Sequence, residues 1–414
     1  MVGQLQSSYV ERVSAGNHPL WSGRGPLLRH LDVELTERCN NRCVHCWINR
    51  PAADKSARKR ELSTTALRAI LKDAAALGAL SVRFTGGEPL LREDFSEIYL
   101  AARQLGLKVI LCTNARGVTP ELADLLARIP PLEPVEITVY GMSQASYEAV
   151  SRVAGSHAEC CRGVRLLLQR RVRLLVRGIH LPQNEHEREA FEAWAASIPG
   201  IDRAPRHTVF LDLRARRDDL QKNRRIAKLR PGPRESLDIL RRDGDAYRRD
   251  ALRICSRLAG PRGSDLFLCD AGRNVSLDAY GMLQPCLGLR HPETVYDLKA
   301  GSLEDALRVF FPRLRRRRAV NPEYLSRCAR CFLLGLCDQC PAKSWIEHGT
   351  LDTPVQYLCD AAHAQARDLG LLGEDEKGWE VVDGCQRLDL LKGRPEAATP
   401  PPPSPSPIEA CNTV

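Results

Sequence analysis

The chain has 414 residues, of which 43% are hydrophobic and 27% charged, so it can bury a sizeable core and is not disordered as a whole. No run approaches about 18 consecutive apolar residues, which excludes a transmembrane helix, and Met1–Asn17 lacks the apolar core of a signal peptide. Lys and Arg number 61 against 51 Asp and Glu, an excess that by itself names no partner. The chain has 16 cysteines, and in the cytoplasm, the location that we predict, such thiols stay reduced and can bind soft metals.

Short β-rich runs alternate with amphipathic helical runs between residues 31 and 213. The helices carry start signals, such as Ser63 before the first and Thr119-Pro120 before a later one. Six βα units imply a parallel sheet with helices outside it, as an open barrel or a doubly wound sheet. The predicted strands are Leu31–Leu35, Ser81–Thr85, Lys108–Thr113, Val135–Val139, Val172–Ile179 and Thr208–Leu213.

The remaining chain divides by composition into four segments around this core of residues 31–213. Residues 1–30 precede the first strand, and residues 214–254 form a connector rich in Arg and Asp. Residues 255–365 contain a second group of cysteines and few periodic segments, so we expect a small domain stabilised by metal. Residues 366–414 are predicted to be a C-terminal extension whose Pro- and Ser-rich end is disordered.

Three cysteines follow the first predicted strand, with the spacing Cys39-x₃-Cys43-x₂-Cys46. Three thiolates can hold three corners of a cubane iron–sulfur cluster and leave the fourth iron without a protein ligand. A zinc site completed by His45 and a partial ferredoxin pattern are the alternatives.

The second predicted strand ends in a Gly-Gly turn, Thr85-Gly86-Gly87-Glu88-Pro89. Two glycines let the backbone approach a ligand closely, and their carbonyl groups can accept hydrogen bonds from an ammonium group. Because active sites of parallel α/β folds gather at the carboxyl ends of the strands, we expect this turn to lie beside the three cysteines.

These motifs resemble those of the radical S-adenosylmethionine (radical SAM) enzymes, which have CxxxCxxC after the first strand and GGEP after the second. The resemblance covers roughly residues 31–213 and implies an α/β fold, the partial (β/α)₆ barrel. It implies that Cys39, Cys43 and Cys46 ligate a 4Fe–4S cluster whose open iron chelates S-adenosylmethionine (SAM). An ordinary turn asparagine is an open alternative for one of the implied SAM contacts, Asn114. The residues implied to contact SAM are Thr85, Gly86, Gly87, Glu88, Pro89, Asn114 and Thr138.

The second cysteine group consists of Cys269, Cys286, Cys328, Cys331, Cys337, Cys340 and Cys359. It resembles a SPASM domain, the C-terminal extension of many radical SAM enzymes that carries two auxiliary iron–sulfur clusters, here expected to be 4Fe–4S. One departure is the gap before Cys340, which has two residues instead of the usual three. Cys255 is a candidate for an uncertain fourth ligand, and a zinc ribbon is the alternative to the whole assignment. The resemblance implies one cluster held by Cys328, Cys331, Cys337 and Cys359, and another held by Cys269, Cys286 and Cys340. Cys112, by contrast, is expected to be a small buried hydrophobic residue of a strand.

The resemblance also implies an activity, the reductive cleavage of SAM to a 5′-deoxyadenosyl radical that abstracts a hydrogen from a substrate. Because relatives with both domains mostly modify peptides, we expect maturation of a ribosomal peptide by oxidation or crosslinking, with the auxiliary clusters taking the electron. Sulfatase maturation is disfavoured, since Leu287 stands where those relatives have an acidic residue. Dehydrogenation of a small molecule such as an aminosugar is the alternative. The expected partners are this substrate and an external flavodoxin- or ferredoxin-like one-electron reductant, without nucleic acid or membrane.

A different class of function is a zinc-bearing protein that binds nucleic acid through Arg313 and Arg315–Arg318. Aromatic residues make up only 5% of the chain, which leaves few rings for stacking on bases and argues against this class. We expect this arginine run to lie on a solvated helix face.

Overall fold

The structure is a computed structural model that describes residues 27–390 except 202–204, 243, 258–259 and 270–271. Most of the predicted N-terminal segment and the Pro-rich end of the chain, including Cys411, lie outside the described residues.

Within the described residues, nine strands form one sheet in the order β11-β10-β9-β1-β4-β5-β6-β7-β8, and β2 pairs with β3. The strands are β1 (His30–Thr36), β2 (Arg38–Cys39), β3 (Arg50–Pro51), β4 (Ser81–Gly86), β5 (Lys108–Thr113), β6 (Val135–Thr138), β7 (Leu174–Ile179), β8 (Arg206–Thr208), β9 (Asn274–Leu277), β10 (Met282–Gln284) and β11 (Tyr296–Asp297).

Most of the longer helices cover the outside of the sheet or join its strands. None of the described helices combines the length and the apolar character that crossing a bilayer requires. The helices are α1 (Lys55–Arg60), α2 (Thr64–Ala76), α3 (Phe95–Gln104), α4 (Pro120–Arg128), α5 (Gln144–Ser151), α6 (Ser156–Gln169), α7 (Arg188–Ala196), α8 (Leu220–Lys228), α9 (Pro233–Arg241), α10 (Gly244–Arg257), α11 (Leu303–Asp305), α12 (Phe311–Arg315), α13 (Pro322–Ser326), α14 (Pro341–His348), α15 (Gln356–Asp368) and α16 (Gly384–Leu390).

Six parallel strands, β1 and β4 to β8, are neighbours in chain order and confirm the predicted α/β fold of the partial (β/α)₆ type. Burial alternates along β4, so that Val82 and Phe84 are fully buried while Arg83 and Thr85 are half-buried. Ser63 caps α2 as predicted, since its Oγ accepts a hydrogen bond from Ala66 N at 3.2 Å.

The sixth barrel strand differs from its prediction, because it spans Arg206–Thr208 instead of Thr208–Leu213. The chain after Thr208 leaves the sheet, and the carbonyl group of Leu211 accepts a hydrogen bond from Arg230 Nε at 2.8 Å. An apolar run that reads as a strand is therefore used to pack the connector against the barrel.

The cysteine-rich region shares its sheet with the barrel. Strand β9, predicted to lie in the separate segment 255–365, pairs parallel with β1, and β10 and β11 follow antiparallel. Val275 and Leu277 of β9 belong to the main apolar core. These strands have only two to four residues, too few to show a period in the sequence.

A second apolar cluster joins the connector to the C-terminal extension. It contains Cys255 of α10, Phe332 and Leu333 between the auxiliary cysteines, and Leu372 and Leu388 beyond residue 365. The extension therefore packs on the cysteine-rich region up to α16.

Candidate active site

A cavity of about 300 Å³ opens at the carboxyl ends of the barrel strands. Pro89, also predicted for this site, is the buried first residue of the short 3₁₀ helix Pro89–Leu91 that follows the Gly-Gly turn. The other predicted residues line the cavity together: Cys39, Cys43, Cys46, Thr85, Gly86, Gly87, Glu88, Asn114 and Thr138.

The cysteine loop, residues 39–49, presents its thiols to this cavity and donates backbone hydrogen bonds to two of them. Asn41 N donates to Cys39 Sγ at 3.3 Å, and Asn49 N donates to Cys46 Sγ at 3.4 Å. Hydrogen bonds of this kind stabilise thiolate ligands and influence the potential of an iron–sulfur cluster.

Burial raises the pKa of the Cys43 thiol to about 12, and it raises the pKa of Cys39 still further. Burial also lowers the pKa of His45 to about 3, so this imidazole is neutral. A buried thiolate is unfavourable without a nearby cation, which a bound metal would supply. The donor set therefore fits a metal centre.

The spacing of these thiols is wider than a single zinc ion needs. Among the described residues, one group of three metal-binding side chains has ligand atoms within 4.8 Å of one another, and it contains no cysteine. A tetrahedral zinc site with bonds of about 2.3 Å brings its sulfur atoms to about 3.8 Å apart. At least two of the three thiols therefore lie farther apart than one zinc ion would hold them.

The Gly-Gly turn lies directly against the start of the cysteine loop. Gly86 has a φ of +122°, and a Cβ on Gly87 would overlap the carbonyl oxygen of Arg38. Gly87 N donates to Thr36 O at 2.7 Å, and Glu88 N donates to Arg38 O at 2.8 Å. No larger residue could bring the backbone this close, so the glycines set the shape of the cavity here.

Glu88 points to the neighbouring strand instead of into open space. Its carboxylate accepts hydrogen bonds from Thr113 Oγ1 at 2.7 Å, Asn114 N at 2.8 Å and Leu90 N at 3.1 Å. Burial raises its pKa, although these hydrogen bonds act in the opposite direction. Glu88 therefore joins the turn after β4 to the turn after β5.

Asn114 connects the turn after β5 to the cysteine loop. Its Nδ2 donates to Asn40 Oδ1 at 2.7 Å and lies 3.9 Å from Cys39 Sγ. Its Oδ1 accepts from Arg116 N, two residues further on, at 3.0 Å, so Asn114 forms the turn of the alternative interpretation and contacts the cysteine loop as well.

Residues 33–195 match the radical SAM superfamily. These residues form a radical SAM domain. Beside this domain, the chain has the cysteine-rich C-terminal region that our interpretation as a radical SAM protein with a SPASM-type extension requires.

Curated relatives match about a third of the chain. The AdoMet-dependent heme synthase of Methanosarcina barkeri is 31% identical over 139 residues, 34% of this chain and 39% of the relative. The PqqA peptide cyclase of Xanthomonas oryzae pv. oryzae is 38% identical over 124 residues, 30% of this chain and 31% of the relative. The pre-heme d1 synthase of Dinoroseobacter shibae is 32% identical over 153 residues, 37% of each chain. The matched part of the chain thus covers about two fifths or less of the length of each of these relatives.

Two solved structures share the fold over most of the chain. Native anSMEcpe with bound AdoMet aligns with a TM-score of 0.57 and 14% identity, over 88% of this chain and 99% of that one. Streptococcus suis SuiB bound to the precursor peptide SuiA aligns with a TM-score of 0.56 and 16% identity, over 79% of this chain and 74% of that one. The shared fold therefore extends beyond the radical SAM domain.

The cavity of the radical SAM domain also contains residues that the sequence did not single out. Arg177 of β7 faces it and binds Glu136 with two hydrogen bonds of 2.8 and 2.9 Å. An arginine within the apolar run Leu174–Ile179, at an inward-facing position, is a signal that could have identified it. Cys112, expected to be an ordinary buried residue, lines the cavity too, with its Sγ 3.6 Å from a carboxylate oxygen of Glu136.

The structure brings the first predicted auxiliary set together. A single pocket is lined by Cys328, Cys331, Cys337 and Cys359. Arg327 donates to Cys359 Sγ at 3.6 Å, which is the kind of contact that stabilises a thiolate.

The second predicted auxiliary set is also a neighbourhood of thiols. The pKa of Cys286 is raised to about 12, mainly by burial and in the same direction by the nearby thiols of Cys340 and Cys269. Cys255 lies elsewhere, in the second apolar cluster against Gly335, and burial alone raises its pKa to about 11. The structure therefore does not bring Cys255 to this set as a fourth ligand.

A buried ion network joins the end of β1 to the loop that carries Cys286. Arg290 donates to both carboxylate oxygens of Glu34 at 2.6 and 2.7 Å, and to Glu37 at 3.4 Å. Arg216 of the connector pairs with Asp278 at 3.0 Å in the same network. The Cys39 and Cys286 regions are thus linked through buried charges.

Arg313 and Arg315 lie on α12, but Arg316, Arg317 and Arg318 follow its end, so the arginine run occupies the expected helix face only in part. Part of the run is paired. Arg317 forms an ion pair with Glu293 at 2.5 Å, and Arg318 pairs with Asp265. Arg313 and Arg316 are exposed.

Proposed function

We propose that the chain is a radical SAM enzyme that binds a 4Fe–4S cluster through Cys39, Cys43 and Cys46, with SAM in the adjoining cavity. The observation that supports this most directly is that one cavity collects the three thiols, the Gly-Gly turn and Thr138. Such a cluster, when bound, supplies the one-electron cleavage of SAM to methionine and a 5′-deoxyadenosyl radical.

In this proposal the chain binds and orients SAM. The carbonyl groups of Gly86 and Gly87, two residues that line the cavity, would accept from the methionine ammonium group. Arg177, which is paired with Glu136, brings a guanidinium group to the cavity that can also approach a carboxylate, and Thr138 offers a hydroxyl group on the neighbouring strand. The enclosing barrel keeps water from the reacting atoms.

We further propose two auxiliary 4Fe–4S clusters that take the electron left on the substrate after hydrogen abstraction. Support comes from the pocket formed by Cys328, Cys331, Cys337 and Cys359, and from the adjacent thiols of Cys269, Cys286 and Cys340. The donor to the first cluster would be an external one-electron reductant of the flavodoxin or ferredoxin type. A cytoplasmic location is part of this proposal, because it keeps these thiols reduced.

For the substrate we propose a peptide, modified by oxidation or crosslinking. Support comes from the PqqA peptide cyclase among the relatives and from the fold shared with SuiB, which was solved bound to a precursor peptide. The heme synthases among the relatives favour a second candidate substrate, a tetrapyrrole. Incubation of the reduced enzyme with each substrate class, followed by mass analysis for loss of hydrogen, distinguishes the two.

The decisive experiment is anaerobic purification with analysis of iron, sulfide and 5′-deoxyadenosine. We expect brown protein that forms 5′-deoxyadenosine from SAM after reduction, and we expect Cys43→Ala to abolish this product. Cys385→Ala, which removes an exposed thiol on α16, is the matched control and should retain it. Zinc without inorganic sulfide, or undiminished product in the Cys43 variant, would overturn the proposal.

A further inference from the structure

Basic side chains contact the cysteine loop from outside the cavity. Arg116 and Arg214 both donate hydrogen bonds to this loop. Each is also paired with a carboxylate at 2.6 Å, Arg116 with Glu159 and Arg214 with Asp218. The chain itself therefore compensates these two charges.

Lys222 of α8 also contacts the cysteine loop, but its charge is not compensated in this way. Its Nζ donates to Asn49 Oδ1 at 2.8 Å, and no carboxylate of the described residues forms an ion pair with it. Burial lowers the pKa of Lys222, while the Cys46 thiol acts to raise it. A half-buried ammonium group without a direct ion pair is unfavourable, so a further anion, beside the Asp219 carboxylate and the Cys46 thiol that already favour the charge, would stabilise Lys222.

The contacts of Lys222 lead directly to the thiols. Asn49, which accepts from Lys222, donates its backbone N–H to Cys46 Sγ at 3.4 Å and its side-chain amide to Asn41 O at 3.0 Å. The charge of Lys222 also contributes to the low pKa of His45, after burial. The ammonium group is thus within electrostatic reach of the whole cysteine loop.

We propose that Lys222 is the counter-charge of the cluster held by Cys39, Cys43 and Cys46, and that it raises the reduction potential of that cluster. This inference rests on the proposed function. Three thiolates around a doubly positive 4Fe–4S core leave one net negative charge, and uptake of an electron from the external reductant makes it two. A fixed cation stabilises the more negative state more, so it favours reduction.

The connector therefore has a role that its composition did not indicate. Residues 214–222 bind the cysteine loop through Arg214 and Lys222, and Ala215 N donates to Trp47 O at 3.1 Å. Lys222 is a positioning residue that acts through charge, since it does not line the cavity where SAM would bind.

The test is an anaerobic redox titration of the full chain, reconstituted with iron and sulfide and followed by electron paramagnetic resonance. The signal of the first cluster is identified by its change on addition of SAM. In Lys222→Met we expect the ratio of reduced to oxidised first cluster, at a fixed applied potential, to fall about tenfold. Lys222→Arg should keep the parental ratio, and so should Lys228→Met, which removes a charge from the exposed end of the same helix.

The outcomes separate this inference from the proposed function. A parent chain without a SAM-responsive iron–sulfur signal overturns the proposed function. A parent with that signal, together with a Lys222→Met variant of parental potential, overturns only the role of Lys222. If Lys222→Met loads less iron, Lys222→Gln is measured instead, because it keeps a donor for Asn49 and lacks the charge; a parental potential in that variant overturns the inference equally.

Discussion

At the scale of single residues, the shape of the cavity depends on the lack of a side chain at Gly87. Gly87 follows the end of β4 and lies against the backbone carbonyl groups of Glu37 and Arg38, just before Cys39. The Gly-Gly turn and the cysteine loop can touch only because nothing projects from this position. The same contact sets where a ligand of the glycine carbonyls would lie relative to the three thiols.

We expect Gly87→Ala to lower the rate of 5′-deoxyadenosine formation about 100-fold, because its Cβ would push the turn away from Arg38 and misplace SAM relative to the thiols. The rate is measured by chromatography of reduced enzyme incubated with SAM. Gly232→Ala is the control, since a Cβ there meets no atom within 4 Å. Similar rates in the two variants would contradict the role of the close approach.

At the scale of elements, β1 is the strand on which both halves of the molecule meet. It pairs with β4 of the barrel on one side and with β9 of the cysteine-rich region on the other. The ion pair between Glu34 of β1 and Arg290 lies at this junction, with side chains 2% and 3% exposed. Buried ion pairs contribute little net stability, but removal of one partner alone is costly.

We therefore expect Arg290→Met to lower the free energy of unfolding by about 3–5 kcal/mol, since it leaves the Glu34 carboxylate buried and unpaired. The double variant Glu34→Leu with Arg290→Met should recover most of this loss. Denaturant titration of anaerobic protein measures both. Arg170→Met, which removes an exposed ion pair with Asp124, is the control and should cost less than about 1 kcal/mol.

The loss of unfolding free energy in Arg290→Met should also depend on pH. Burial raises the pKa of Glu34 to about 7 with Arg290 present, and the guanidinium group acts to lower it. Without that group the native state binds a proton more tightly than the unfolded chain, so stability increases as the pH falls. We expect Arg290→Met to lose less unfolding free energy at about pH 6 than at about pH 8. A loss that does not change with pH would contradict the conclusion that the variant leaves the Glu34 carboxylate unpaired.

At the scale of the whole molecule, the C-terminal extension closes the first auxiliary pocket. Gly378 N donates to His363 Nε2 at 3.0 Å, and a Cβ on Gly378 would lie 2.7 Å from Cys331 Sγ. Trp379 lines the same pocket and carries the guanidinium group of Arg327 over its ring at 4.7 Å. Gly378 and Trp379 of the extension thus lie against the thiols that we propose as cluster ligands.

Removal of residues 373–414 should lower the iron and sulfide content by one cluster, because the pocket of Cys328, Cys331, Cys337 and Cys359 loses its cover. The signal of the first cluster and its response to SAM should persist. Removal of residues 391–414 alone is the matched control and should leave the metal content unchanged, because the contacts with the pocket come from residues 378 and 379. Equal iron content in both truncated chains would show that the extension is dispensable for this site.

Local patterns in the sequence were sufficient to predict the barrel and to suggest the proposed ligands of the metal sites. Cysteines that lie a few residues apart are a local signal of cluster ligands, and the Gly-Gly turn needs two consecutive small residues. The spacing from Cys39 to Cys46 and from Cys328 to Cys340 is therefore visible without any structure. Alternating apolar residues likewise indicated the barrel strands.

Only the tertiary structure decided which distant groups meet. Lys222 and Asn49 are 173 residues apart, and Arg290 and Glu34 are 256 apart, so no local pattern could pair them. The position of Cys255 in an apolar cluster, away from the thiols it might have joined, was also settled by packing. Charge pairing and burial depend on the distance between atoms in space, which the order of residues along the chain does not contain.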